Sequence, residues 1–128
     1  MINFKNKKIL VTGATGGIGK ALVQKFVSLE GNVLATGTKT EKLDALKKEF
    51  PNINVLKFDI SDHSKIEEFI ENVSSQLVGL DILVNNAGIN MDNLALRMKD
   101  DEWKKVIDLN LGSTFFLCKY GMKKMLKN

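Results

Sequence analysis

The chain has 128 residues, 44% of them apolar, with one proline, ten glycines and a net charge of +4. That length suffices for one domain with a real core, and no apolar run approaches the roughly 20 residues of a membrane span, so no membrane insertion is expected. The lysines fall in scattered pairs (Lys7/Lys8, Lys47/Lys48, Lys104/Lys105), which reads as solvated helix faces rather than a nucleic-acid stripe.

The start, "MINFKNKK", runs straight into a strand-like segment and lacks the form of a signal peptide. "KILVTG" is a short apolar run ending in glycine, as a buried parallel strand would. After "ATGGIG" a helical stripe follows through Ile18, Leu22 and Phe26, with Ala21 and Leu29 beside it and Gly31 as the stop. "NVLAT" reads as a second strand, and Thr38 with Glu41 offers a capping box ahead of Leu43, Leu46 and Phe50. "INVLKF" is a third strand. Ser64 with Glu67 offers another capping box, opening a helix through Ile66, Phe69, Ile70 and Val73. "LDILVNN" is a fourth strand, and from about Asp100 the chain reads helical through Trp103, Val106, Ile107, Phe115, Leu117 and Met122.

Strands alternating with helices of this length predict βαβ units, a parallel sheet and helices on both faces. Right-handed crossovers narrow this to an α/β, Rossmann-type doubly wound sheet of about four strands spanning residues 1–128. Cys118, the one cysteine, excludes an internal disulfide and fits a reducing compartment as a buried thiol. His63 sits at a polar helix start with no ligand cluster around it, so no metal site is expected, and Trp103 reads as a packing residue.

"VTGATGGIGKAL" lies between the first strand and the first helix, the context in which a glycine-rich string carries meaning. Gly13 can supply the turn off the strand, Gly17 a close backbone approach to a pyrophosphate, and Gly19 close packing of helix on sheet. Free N–H groups at the helix start would face the phosphates. It is not a Walker loop: Ala21 follows Lys20 where serine or threonine is needed, and Ala14 replaces the first glycine. A plain strand-to-helix turn needs one or two glycines, and four stand between positions 13 and 19.

The form Thr-Gly-x-x-x-Gly-x-Gly (Thr12, Gly13, Gly17, Gly19) resembles the short-chain dehydrogenase/reductase family. With Gly16 also glycine, the loop equally fits the Thr-Gly-x-x-Gly-x-x-Gly form of the family's extended branch. "NNAG" (Asn85 to Gly88), directly after the fourth strand, is similar to the classical branch. "MDNLALRMKDDEWKKVIDLNL" closely resembles one subgroup, the bacterial 3-oxoacyl-[acyl-carrier-protein] reductases of fatty acid synthesis.

That resemblance implies a nicotinamide dinucleotide site. Gly13, Ala14, Thr15, Gly16, Gly17, Ile18 and Gly19 would hold the pyrophosphate and adenosine ribose, Asp59 and Ile60 the adenine, and Asn86, Ala87 and Gly88 the pocket of the second ribose. Asp59 reads equally well as a turn or capping carboxylate in "FDIS". No acid stands in "ATGTKT", where a carboxylate would accept from the 2′-hydroxyl of NAD and repel a 2′-phosphate. The expected cofactor is therefore NADP (NADPH), with Thr38 and Lys39 at its phosphate, although Gly16 replaces a basic residue common in such reductases.

In this family a tyrosine protonates the carbonyl oxygen and a lysine four residues on lowers its pKa. "YGMKKM" gives Tyr120 and Lys124 that spacing, but only ten residues past Asn110, with no intervening strand to carry the family's serine. The pair is therefore read as a decoy. Asn110 matches the family's catalytic asparagine, which holds a water in the proton relay. The resemblance implies the cofactor-binding half of an NADPH-dependent, cytoplasmic enzyme reducing 3-oxoacyl thioesters on acyl carrier protein, inactive as these 128 residues alone. It also implies a homo-oligomer, a tetramer by family, with the helix from Asp108 to Asn128 between subunits. Lys123, Lys124 and Lys127 would offer a docking patch for the acidic carrier. Two readings compete: a non-catalytic dinucleotide-binding module or pseudoenzyme, and a chain completed by a partner supplying the missing half.

Overall fold

The computed structural model describes residues 2–88 and 95–127. The "MDNL" opening of the subgroup-like stretch and Asn128 lie outside them. Four strands, β1 (Lys8–Val11), β2 (Asn32–Gly37), β3 (Asn54–Lys57) and β4 (Ile82–Val84), form one parallel sheet in the order β3-β2-β1-β4. β1 is paired on both sides, Ile9 facing Val33 of β2 and Ile82 of β4. Ile9, Leu10 and Val11 are accordingly fully buried, which is why this strand is a solid apolar run rather than an alternating one.

Successive side chains leave opposite faces of the sheet, and two cores follow. Ile9 and Val11 pack with Val33, Ala35, Val23 and Leu46 under α1 (Gly17–Ser28) and α2 (Thr40–Glu49). Leu10 and Leu34 pack on the other face with Ile66, Phe69, Ile70 and Val73 of α3 (Ile66–Leu77) and with Leu117 of α5 (Thr114–Met125). Each buried Val, Leu, Ile or Phe among them contributes roughly 1.5–3 kcal/mol. Ahead of α5 lie α4 (Asp100–Ile107) and a π-helical turn (Asp108–Ser113). Among the described residues no helix is long and apolar enough to cross a membrane.

Several local expectations are corrected. Neither capping box forms. β2 runs through Gly37 and α2 starts only at Thr40, so Lys39 takes the N-cap position and Thr38 stays in the connection. At α3 a 3-10 turn (His63–Lys65) intervenes, and the Ser64 hydroxyl donates to Asp62 Oδ1 (2.8 Å) instead. Glu67 and Glu68 in the first turn complement the helix dipole there. α1 ends in a Schellman arrangement, with Gly31 N–H donating to Phe26 O and Glu30 N–H to Val27 O. Glu30, not Gly31, adopts the left-handed conformation (φ 68°); Gly31 is there because a Cβ would meet Ile9 Cδ1 at 2.7 Å.

Ile18 does not join the buried stripe of α1, which runs through Leu22, Val23, Phe26 and Val27; it is exposed. Trp103 is no core residue either. α4 buries none of its side chains, and Trp103 is 59% exposed on a stripe continued by Ile107, Leu111 and Phe115. Cys118 is half-buried and accepts from Asn85 Nδ2 (3.3 Å). β4 borders no second strand among the described residues, so its outer edge is open.

Candidate functional site

β1 continues through α1 to β2 on one side, while the chain reaches β4 on the other side after β3 and α3. The strand order therefore reverses between β1 and β4, and a crevice opens at their carboxyl ends. A cleft of about 910 Å³ lies there.

Thr12 ties the two loops that form its floor. Its buried hydroxyl donates to Val84 O (3.3 Å) and accepts from the N–H groups of Asn86 and Ala87 (3.1 Å each), which saturates it. Asn86 Nδ2 then donates to Gly13 O (3.0 Å). Gly13 sits at φ +60°, and a Cβ on it would lie 2.8 Å from Ala87 Cα. In the sequence Thr12 stands only as a letter of the glycine motif; its role as the clasp between the loops emerges from the fold. The available signal was a hydroxyl with a branched Cβ closing an otherwise apolar strand.

The four loop glycines then separate by purpose. Gly19 serves packing, because a Cβ there would stand 2.1 Å from Gly13 O and 2.8 Å from both Ala14 Cα and Asn86 Nδ2. Gly17 is different: nothing lies within 4 Å of its Cβ position, and its φ is not positive. Gly16, the N-cap of α1, would make only ordinary contact. No side chain caps this helix, so its first N–H groups remain directed at the cleft.

Across the cleft stand Thr36, Gly37 and Thr38 at the end of β2 and residues 58–61 after β3. Asp59 Oδ1 accepts from both the hydroxyl (2.7 Å) and the N–H (2.9 Å) of Ser61. Those two bonds, the hydroxyl's first, hold its carboxyl below the ordinary value. Asp59 is thus a turn carboxylate that also lines the cleft. Lys104 and Lys105 of α4 are the cations on the wall among the described residues. Of the sequence-predicted residues, Ala14 is buried behind the wall, its N–H on Thr36 O, and Lys39 is exposed and does not line it.

Asn110 lies within the π-turn, and its Oδ1 comes within 3.0 Å of a Cβ position on Gly88. It therefore reaches the rim of the cleft beside the "NNAG" loop. Tyr120 does not line the cleft. It packs against the α3–α5 core, with the ammonium groups of Lys119 and Lys123 within 5.4 Å and 5.3 Å of its ring centroid. Lys124 pairs with Glu71 of α3 (2.6 Å) and holds that carboxyl below its ordinary value. Fixed and only 17% exposed, Lys124 is not the free docking cation the sequence suggested.

The family model described as short chain dehydrogenase matches residues 7–128, and the chain belongs to that family. It is 40% identical over 127 residues to the 3-oxoacyl-[acyl-carrier-protein] reductase of Salmonella typhimurium, covering 98% of this chain and 52% of the relative. The reductase of the same name from Rickettsia felis is 42% identical over 132 residues, covering 100% and 52%. The chain thus spans about half the length of the curated relatives it matches. Among solved structures, a Brucella melitensis short-chain dehydrogenase/reductase superposes with a TM-score of 0.89 at 31% identity, covering 96% of this chain and 54% of that one. A blue fluorescent protein from a metagenomic library, solved in complex with NADPH, gives 0.89 at 24% identity, covering 97% and 53%.

Proposed function

We propose that this chain is the cofactor-holding half of an NADPH-dependent short-chain oxidoreductase that reduces 3-oxoacyl thioesters on acyl carrier protein. One observation carries the cofactor reading. Gly17 has no packing or torsional need to be glycine, so its missing side chain serves only whatever enters the cleft at the head of α1. A pyrophosphate lying on the N–H groups there would need that space. The reductases named above support the substrate class.

When bound, the dinucleotide supplies the hydride. The chain's own contribution is to bind and orient. The N–H groups of residues 17–19 would hold the pyrophosphate, Gly16 N–H being engaged by Gly13 O, while Asp59 and Ile60 would border the adenine and Asn86 to Gly88 the second ribose. Thr38 would face the 2′-phosphate, and Lys39, exposed at the α2 N-cap just outside the cleft, would have to swing toward it to make the second contact. Asn110, against Gly88, orients the water of the proton relay. The family's serine, tyrosine and lysine have no counterparts in residues 1–128, so turnover by these residues alone is not expected. The second reading is a module that binds cofactor without catalysis; Tyr120, packed outside the cleft, supplies a catalyst to neither.

The exposed stripe of Trp103, Ile107, Leu111 and Phe115 supports a homo-oligomer built through α4 and α5. Lys123 and Lys127 remain available to an acidic carrier protein in a cytoplasmic setting. Gly17→Val tests the cofactor reading. It should leave stability within about 0.5 kcal/mol and weaken NADPH binding at least about tenfold, followed by nicotinamide fluorescence. Unchanged NADPH affinity in a folded variant would remove the observation on which the reading rests.

A further inference from the structure

His63 stands apart from the cleft wall, yet it touches both ends of the turn that carries Asn110. Its Nε2 lies 3.0 Å from Asp108 O and 3.0 Å from Ser113 Oγ, the first and last residues of the π-turn. Asp108 O can only accept, so Nε2 carries the proton and donates. Ser113 is fully buried; its hydroxyl lies 2.7 Å from Ile60 O and 3.3 Å from Asp108 O, so its proton goes to the nearer carbonyl and its oxygen is left to accept from the imidazole. The ring is seated in two further ways. It lies against Phe116, with centroids 5.1 Å apart, and it passes over Gly112, where a Cβ would meet Cε1 at 2.9 Å. A side chain at position 112 would push the imidazole out of reach of both acceptors.

A π-turn is a rare, widened helical turn, commonly found at functional sites, and it needs support to persist. Here the support comes from the segment after β3, the same one that places Asp59 and Ile60 on the cleft. We propose that His63 is a positioning residue: its Nε2–H clamps Asp108 and Ser113 and thereby holds the π-turn that presents Asn110 to Gly88. The catalytic purpose of that presentation rests on the function proposed above; the clamp itself does not.

Hydrogen exchange read by mass spectrometry tests this in any oligomeric state. His63→Phe keeps a ring against Phe116 but removes the donor, whereas His63→Gln keeps a donor without the ring. In His63→Phe, amide protection across 108–113 should fall about tenfold while protection of α3 stays as in the wild type. His63→Gln should hold both within about twofold of the wild type. Wild-type protection of the π-turn in His63→Phe would overturn the proposal, as would equal loss in α3 or a loss in His63→Gln matching that of His63→Phe. A companion titration separates this proposal from the cofactor reading. In His63→Phe, NADPH should weaken about tenfold and 2′,5′-ADP, which lacks the nicotinamide half, less than about twofold; equal weakening of the two would contradict the role at Asn110. If the wild type binds neither ligand, the cofactor reading fails and the exchange result alone decides the clamp.

Discussion

The two flanks of β1 are finished to different degrees. Toward β2, strands and helices close on each other: Val33, Leu34 and Ala35 are buried, and Val23 and Leu46 seal the face above them. Toward β4 the same chain leaves surface open. Ile82, Leu83 and Val84 are only half-buried, α4 buries nothing, and Trp103, Leu111 and Phe115 face outward. The glycine loop and its cleft thus rest on a self-sufficient core. The flank that displays Asn110 instead leans on clasps such as Thr12 and His63.

The largest effect should come from breaking the finished flank. Leu10→Ala should cost roughly 2–5 kcal/mol in chemical denaturation, while Leu83→Ala on the open flank should cost about 1–2 kcal/mol, little beyond the transfer term. Equal losses would erase the contrast. Gly19→Ala should cost about 3 kcal/mol, because its Cβ meets a backbone carbonyl that cannot turn aside; wild-type stability would mean that the loop is looser than it stands here. Leu111→Glu should change stability by less than about 0.5 kcal/mol while shifting sedimentation toward smaller species. Unaltered self-association would remove the exposed stripe from the interface.

The smallest effect concerns Glu71, whose carboxyl is held below its ordinary value of 4.5 by the Lys124 bond. A depressed carboxylate contributes stability above its unfolded value and loses it as pH falls through the folded one. The advantage of the wild type over Glu71→Gln should therefore be present near neutrality and shrink below about pH 4.5 in thermal melts. An advantage that grows on acidification would refute the pairing.

Much of this was legible in the sequence because the signals were local. A solid apolar run ending in glycine marked β1, and the spacing of Gly13, Gly17 and Gly19 marked the cleft. Other features depended on geometry that no local pattern carries. Thr38 and Ser64 had the right chemistry to cap, but the backbone placed each N-cap one residue later, at Lys39 and Lys65. Ile18 and Trp103 matched a helical stripe whose buried arc falls elsewhere. The role of His63 leaves no local trace, because its partners lie 45 and 50 residues away.

The most direct measurement is a fluorescence titration of the 128-residue chain with NADPH and, separately, with NADH. One NADPH per chain should bind saturably, and more tightly than NADH. No saturable binding, or tighter binding of NADH, would contradict it.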